Sequence, residues 1–304
     1  MKEYEAQVFS KEQFGLGESP FYDPRTGLFS FVDILGHAFY LCSPSGSYTP
    51  EGGYTQDGSL QRFELGQEPG AAVPADAPGS YLIAGQDGLY LFAEGALSRR
   101  YDLRGEFEPI QRCNDAKADP AGRLFFGSSL LHQAKGEPHG NLYTLDGGVL
   151  TKAQPDTGIS NGMAWSADRK RFFFCDSTAH RICSYDYEKS TGRISGRREL
   201  FAITEGAPDG MCIDCEDNLY VAVWGGRRIE KRSTATGELL AVIRVDSENV
   251  TSCCFGGEGM RTLLITTSRA EGDGQGGGKL FTCRMEVSGP APDLCDIQKI
   301  FGGV

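Results

Sequence analysis

The chain has 304 residues, 39% hydrophobic and 23% charged, the composition of a folded soluble protein and not of a disordered one. Lys and Arg total 30 against 41 Asp and Glu, and the resulting net charge of -11 repels nucleic-acid phosphates and anionic lipid. No run approaches the roughly 20 apolar residues that span a bilayer, and the first residues lack the basic and apolar regions of a signal peptide, so a cytoplasmic protein is expected.

In chain order the sequence is a succession of short β-rich segments that end in turns and restart at intervals of about 40–50 residues, the period of propeller blades. Tyr22-Asp23-Pro24-Arg25-Thr26-Gly27-Leu28-Phe29 is followed by Ala118-Asp119-Pro120-Ala121-Gly122-Arg123-Leu124-Phe125, by Ser166-Ala167-Asp168-Arg169-Lys170-Arg171-Phe172 and by Asp214-Cys215-Glu216-Asp217-Asn218-Leu219-Tyr220. Each reads as strand, polar turn, strand. The runs 219–224 and 262–267 are short, β-branched and aromatic, and no dozen-residue stretch holds an i, i+3, i+4, i+7 apolar pattern. The expected fold is therefore all-β.

Inner strands are placed near 19–23, 70–74, 115–119, 162–166, 210–214 and 250–255, which predicts a six-bladed β-propeller formed by one domain over residues 1–304. The last blade, ending near Arg284, lacks an outer strand, and the segment from Tyr4 to Phe9 is predicted to supply it and close the ring. Residues 43–59, rich in Ser, Gly, Pro and Tyr, read as an insert between the third and fourth strands of the first blade, on the face away from the inner-strand starts.

Those starts carry Gly17-Glu18-Ser19-Pro20, Arg112-Cys113-Asn114-Asp115, Ser160-Asn161-Gly162 and Pro208-Asp209-Gly210. In a ring of blades they converge on one mouth of the central channel. Glu18, Asn161 and Asp209 then offer two carboxylates and an amide oxygen, a hard donor set for one divalent cation: Ca²⁺, Mg²⁺, Mn²⁺ or, without special preference, Zn²⁺. Taken singly, Asn-Gly and Asp-Gly are ordinary turn dipeptides; their recurrence at equivalent repeat positions favours a site.

These motifs resemble the regucalcin-like branch of the senescence-marker-protein/gluconolactonase family. The resemblance runs through Gly17–Pro20, Phe31-Val32-Asp33-Ile34, Asn114-Asp115, Asp119–Arg123, Ile159–Gly162, Pro208–Asp214 and Thr251–Gly257. It implies a metal-dependent hydrolase that opens sugar (aldono-) lactones, with Glu18, Asn161 and Asp209 as metal ligands. Asp209 also matches the catalytic proton-transfer position, and Arg112 and Asn114 match substrate-binding positions. Where regucalcin-like members carry an acidic substrate contact, this chain has Gly127-Ser128-Ser129-Leu130-Leu131-His132, and spacing places His132 there as a substrate contact. The connection from Leu130 to Gly140 is long enough for a lid over the mouth, and equally fits a plain surface loop. Two other readings use the same site: a non-enzymatic calcium-binding regulatory protein, although no EF-hand pattern is present, and a propeller esterase or phosphotriesterase with an altered pocket. A monomer is expected, because the ring closes on itself.

Several motifs are decoys on this reading. Gly158-Ile159-Ser160-Asn161-Gly162 matches a G-x-S-x-G nucleophile elbow, but the residues after it read as a strand where the elbow demands a helix. Gly272-Asp273-Gly274-Gln275-Gly276-Gly277 matches G-x-G-x-x-G without a βαβ setting and is read as a loop. The ten cysteines, including vicinal Cys253-Cys254, suit reduced thiols; Cys212 and Cys215 fall on opposite strand faces and are assigned to packing. His37 is placed in a turn near the mouth. Trp165 and the run Phe172-Phe173-Phe174 read as core between blades, and Trp224 as either core or an edge on the channel.

Overall fold

Each repeat folds as an antiparallel meander, and in several of them the first turn is held by an aspartate at its start. Asp119 Oδ1 accepts the amides of Ala121 and Arg123, both at 2.8 Å, and Asp214 Oδ1 accepts those of Glu216 and Asn218, both at 2.9 Å. Asp23 takes the Arg25 amide in the same way at 2.9 Å. These bonds form within a few residues of the acid, which is why the turns are visible in the sequence.

The structure is a computed structural model and describes residues 1–302 except 45, 49–53, 57–59, 131–138 and 270–275, with the backbone alone at 46–48 and 54–56. Its strands form a six-bladed propeller. Blade one comprises Gly17–Asp23, Leu28–Asp33, Ala38–Cys42 and Gln61–Glu64; blade two comprises Ala71–Pro74, Tyr81–Ala84, Gly88–Ala93 and Ala96–Asp102. Blade three is Gln111–Ala118, Leu124–Leu130, Gly140–Asp146 and Val149–Thr157, and blade four is Ser160–Trp165, Arg171–Asp176, Arg181–Glu188 and Arg193–Ala202. Blade five runs Ala207–Ile213, Asn218–Trp224, Arg228–Ser233 and Leu239–Arg244, and blade six Val250–Gly256, Thr262–Thr267 and Phe281–Arg284. The first strands of successive blades touch one another around a ring, and the last touches the first.

The N-terminal segment closes that ring, and it divides in doing so. Gln7–Val8 pairs antiparallel with Phe281–Arg284 as the fourth strand of blade six, whereas Lys2–Glu5 runs parallel to Leu239–Arg244 as a fifth strand of blade five. Tyr4 therefore belongs to blade five and not to blade six, a refinement of the sequence expectation. The insert after Cys42 forms a small hairpin, Gly46–Tyr48 with Tyr54–Gln56, between the third and fourth strands of blade one.

The core lies between blades. Middle strands are covered on both faces, so Phe172, Phe173 and Phe174 are all buried, as are all six residues of Thr262–Thr267. Burial on both sides explains why these strands read as continuous apolar runs and not as alternating ones. Trp165 of blade four packs edge-on against Phe125 of blade three, with ring centroids 5.3 Å apart. After blade six the chain crosses to blade three and ends in a short helix, Ile297–Phe301, capped by Asp296 and inserting Ile300 between blades two and three. The all-β reading did not anticipate this helix; five residues are too few for a periodic signal.

Candidate active site

The inner strands begin at one mouth of the channel, and five of the six carry a break in ladder register there. The breaks fall between Glu18 and Phe21, Cys113 and Ala116, Asn161 and Met163, Pro208 and Met211, and Val250 and Ser252. A β-bulge leaves a residue out of the ladder and bends the strand, which frees its side chain for another direction. Four of the breaks lie at or beside Glu18, Asn114, Asn161 and Asp209. The glycines that follow two of these residues are required by close approach. A Cβ on Gly162 would lie 2.7 Å from the Asp209 carbonyl oxygen, and one on Gly210 would lie 2.5 Å from Ser252 Cβ. Asn161-Gly162 and Asp209-Gly210 are thus not turns: both sit inside strands whose neighbours leave no room for a side chain.

Two acids on second strands anchor the chain leading into the site. Asp33 accepts the amides of Gly15 at 3.0 Å and Leu16 at 2.9 Å, just before Glu18. Asp176 accepts those of Gly158 at 3.1 Å and Ile159 at 3.3 Å, just before Asn161. The entering backbone is pinned at equivalent places in blades one and four.

The mouth holds a cavity of about 250 Å³ lined by Glu18, Arg112, Asn114, Asn161, Asp209 and Trp224. Five of the six residues expected to form the site therefore meet in one place; the sixth, His132, lies outside the described residues, as does most of the 130–140 connection. Asn161 donates through Nδ2 to Asp209 Oδ1 and, at 3.1 Å, to Ser177 Oγ, while its own Oδ1 is buried without a hydrogen-bond partner. Arg112 Nη1 donates to the Cys113 carbonyl and to Asn114 Oδ1, each at 2.8 Å, and its Nε stands 3.5 Å from Glu68 Oε2 in an ion pair without hydrogen-bond geometry. Asn114 Nδ2 bonds the Ser160 carbonyl at 3.0 Å, which leaves one amide hydrogen of Asn114 for a ligand.

Electrostatically the site is strained by its own acids. Burial pushes the Glu18 carboxyl well above the usual carboxylate range, and repulsion from Asp209 and Asp115 adds to it. Burial likewise raises Asp209, with Asp115 repelling it, while donation from Asn161, the Gly210 amide and the Arg112 charge pull the other way. Asp115 is raised by burial alone, and Lys117 opposes the shift. Burial also lowers the Arg112 guanidinium. Groups that repel one another across a desolvated cavity are relieved by a cation among them. The donor chemistry fits one: hard carboxylate oxygens and the unpartnered Asn161 Oδ1, with room left in the cavity for water and substrate. Among the described residues no three His, Cys, Asp or Glu side chains cluster as a metal site, so the amide oxygen is integral to this set.

Sequence reasoning missed Glu68, Ser177 and His180. Glu68 precedes Pro69-Gly70 at the entry to blade two, the counterpart of Glu18 in blade one, and that repeat position was its available signal. Ser177 holds the Asn161 amide, and His180, in a turn at the rim, has Nδ1 at 3.0 Å from the Gly206 carbonyl oxygen. Trp224 faces the cavity, while His37 sits in an exposed turn at φ 52 and does not line it. Ser160 bonds Thr157 Oγ1 at 2.7 Å at the start of a strand, with no helix following, so the nucleophile-elbow motif is indeed a decoy. Gly272–Gln275 lies outside the described residues.

The profile of the family described as "SMP-30/Gluconolactonase/LRE-like region" matches residues 16–269. The chain is 32% identical to regucalcin of Danio rerio over 281 residues, 88% of each chain, and 32% identical to regucalcin of Homo sapiens over 299 residues, 91% of this chain and 93% of that one. It belongs to the SMP-30/gluconolactonase/LRE-like family. Among solved structures, a luciferin-regenerating enzyme superposes with a TM-score of 0.87 at 27% identity, covering 96% of this chain and 99% of that one. A calcium-binding protein, regucalcin, from Agrobacterium tumefaciens superposes with a TM-score of 0.86 at 24% identity, covering 97% and 99%, and supports the fold. The SMP-30/gluconolactonase/LRE-like match takes in every residue of the mouth site and stops before the C-terminal crossing and helix.

Proposed function

We propose that the chain is a divalent-cation-dependent lactonase acting on sugar lactones, with the cation held by Glu18, Asn161 and Asp209. The observation that carries this reading is the pairing of mutually repelling buried carboxylates with the orphaned Asn161 Oδ1 at the wall of a substrate-sized cavity. Family membership supports the same reaction class. A cation bound there supplies positive charge that polarises an ester carbonyl.

The remaining work falls to side chains of the chain itself. Asp209 accepts a proton from the attacking water and returns it to the ring oxygen as the ester bond opens, so the proton count balances across the reaction. The Asn161 amide fixes which Asp209 oxygen is engaged and leaves the other for this task. Arg112, oriented by Asn114 and Glu68, donates to hydroxyls or to the carbonyl oxygen of the substrate, and the spare hydrogen of Asn114 adds a second contact. Trp224 gives the sugar ring an apolar face to rest on.

Asp209→Ala tests the assignment. Lactone opening is expected to fall by about 10²-fold or more, with an unchanged far-ultraviolet spectrum. A folded Asp209→Ala protein with full activity removes Asp209 from the mechanism.

A further inference from the structure

The turn between the second and third strands of blade four brings an imidazole to the mouth of the channel, and the chain braces that turn on both sides. Asp176 accepts the Thr178 amide at 3.2 Å and the Thr178 hydroxyl at 2.7 Å, besides the entering amides of Gly158 and Ile159. The His180 amide donates to the Ser177 carbonyl at 3.1 Å, and the His180 carbonyl accepts the Ile203 amide at 3.0 Å. His180 takes φ 54, as His37 takes φ 52 and Arg227 φ 53 just before the third strands of blades one and five, so the left-handed backbone belongs to the repeat and not to the site. What is particular to blade four is where the side chain ends. His180 lines the mouth cavity together with Trp224, whereas His37 and Arg227 do not.

The one hydrogen bond of the ring decides what it offers a ligand. The Gly206 carbonyl oxygen, 3.0 Å from Nδ1, can only accept, so Nδ1 carries a hydrogen. In the uncharged ring Nε2 is then a bare acceptor, and among the described residues the ring makes no second hydrogen bond. Gly206 itself has no room for a side chain: at φ 89, a Cβ there would lie 2.5 Å from the Trp224 carbonyl oxygen. One glycine between blades four and five thus orients His180 and abuts Trp224, and the two side chains share a wall of the cavity.

The other polar groups of the cavity leave this acceptor a distinct task. Arg112 and Asn114 present N–H groups to a ligand, and on the lactonase reading Glu18, Asn161 and Asp209 are engaged by the cation and the proton transfer. The Thr178 hydroxyl hydrogen goes to Asp176, and Ser177 Oγ takes the Asn161 amide. A sugar hydroxyl both donates and accepts, and N–H donors satisfy only its accepting side.

We propose that His180 is a specificity-determining residue whose Nε2 accepts from a ring hydroxyl of the lactone, so that the site selects hydroxylated lactones over unsubstituted ones. Trp224, on the same wall, covers the apolar face of the same ring. The inference rests on the reading of this mouth as the substrate site.

The test compares glucono-δ-lactone with δ-valerolactone, the same six-membered ring without hydroxyls, in cation-loaded protein. His180→Phe is expected to raise KM for glucono-δ-lactone about fivefold with kcat unchanged, and to leave δ-valerolactone within about twofold. His180→Gln, whose amide oxygen can stand near the place of Nε2, should recover most of the loss. Equal losses on both lactones, a loss in kcat alone, or no loss on glucono-δ-lactone overturns the proposal. Should His180→Phe fail to fold, His180→Asn takes its place, since asparagine tolerates the left-handed backbone and is too short to put its oxygen at the Nε2 position, and it must show the same split. If the wild-type protein opens neither lactone, the lactonase reading fails separately and calorimetry with 1,5-anhydro-D-glucitol decides: binding weakened about fivefold by His180→Phe supports the contact, and equal binding or none overturns it.

Discussion

Asn161 and Asp209, on neighbouring blades, are joined by an amide-to-carboxylate hydrogen bond that leaves the Asn161 oxygen buried and unpartnered. The bond fixes both side chains at the mouth of the channel. It also gives the site a mixed character: one amide oxygen seeking a positive partner beside two acids that repel each other.

A cation that binds the folded chain and not the unfolded one stabilises it by mass action. At one hundred times the dissociation constant the gain is about 2.7 kcal/mol, which raises the melting temperature by roughly 5 °C in a protein of this size. Glu18→Gln should abolish most of that rise. Without metal the same variant should melt at the wild-type temperature or above it, because the substitution removes a repelling buried charge. Differential scanning fluorimetry of chelator-treated protein with Ca²⁺, Mg²⁺, Mn²⁺ or Zn²⁺ restored singly reads both effects.

Gly210→Ala should be costly. The added methyl would approach Ser252 Oγ to 2.1 Å and Ser252 Cβ to 2.5 Å, in an inner ring where backbones are already in contact. Overpacking of this kind costs about 1–3 kcal/mol, and relief requires moving the strand that carries Asp209. Urea unfolding should show a lower midpoint, and lactone opening should fall with it. A wild-type midpoint would mean that blades five and six are less tightly apposed than described.

The thiols give a simple count. Nine of the ten cysteines are buried and only Cys215 is exposed, which departs from the expectation that Cys212 and Cys215 both serve packing. Burial raises the Cys42 thiol to about 12 and the Cys283 thiol to about 11, and thiol reactivity requires the thiolate. A disulfide-exchange reagent should therefore label one thiol per native chain promptly and all ten after denaturation. Loss of the prompt label in Cys215→Ser would assign it; several fast thiols in the native protein would contradict the burial.

The features legible in the sequence are those written locally or repeated. Asp119 and Asp214 announce their turns because the amides they accept lie within four residues. Glu18, Asn161 and Asp209 announce the site because each stands at the same place in its repeat. Glu68 was hidden because it reaches the site through a partner, Arg112, instead of lining it. The bulges leave no compositional trace, since a register break depends on both strands. The division of the N-terminal segment between Leu239–Arg244 and Phe281–Arg284, and the C-terminal crossing to Pro74, are long-range pairings outside the repeat, and no period predicts them.

On the proposed reading, Glu18, Asn161 and Asp209 hold a divalent cation for lactone hydrolysis. The most direct test is a pH-indicator assay of a panel of aldonolactones with chelator-stripped protein, each metal added back singly. Acid release faster than the spontaneous rate only when metal is restored, and absent in Asp209→Ala at the same metal concentration, is the predicted result. Metal binding without turnover of any lactone, or turnover that persists in the stripped protein, would contradict it.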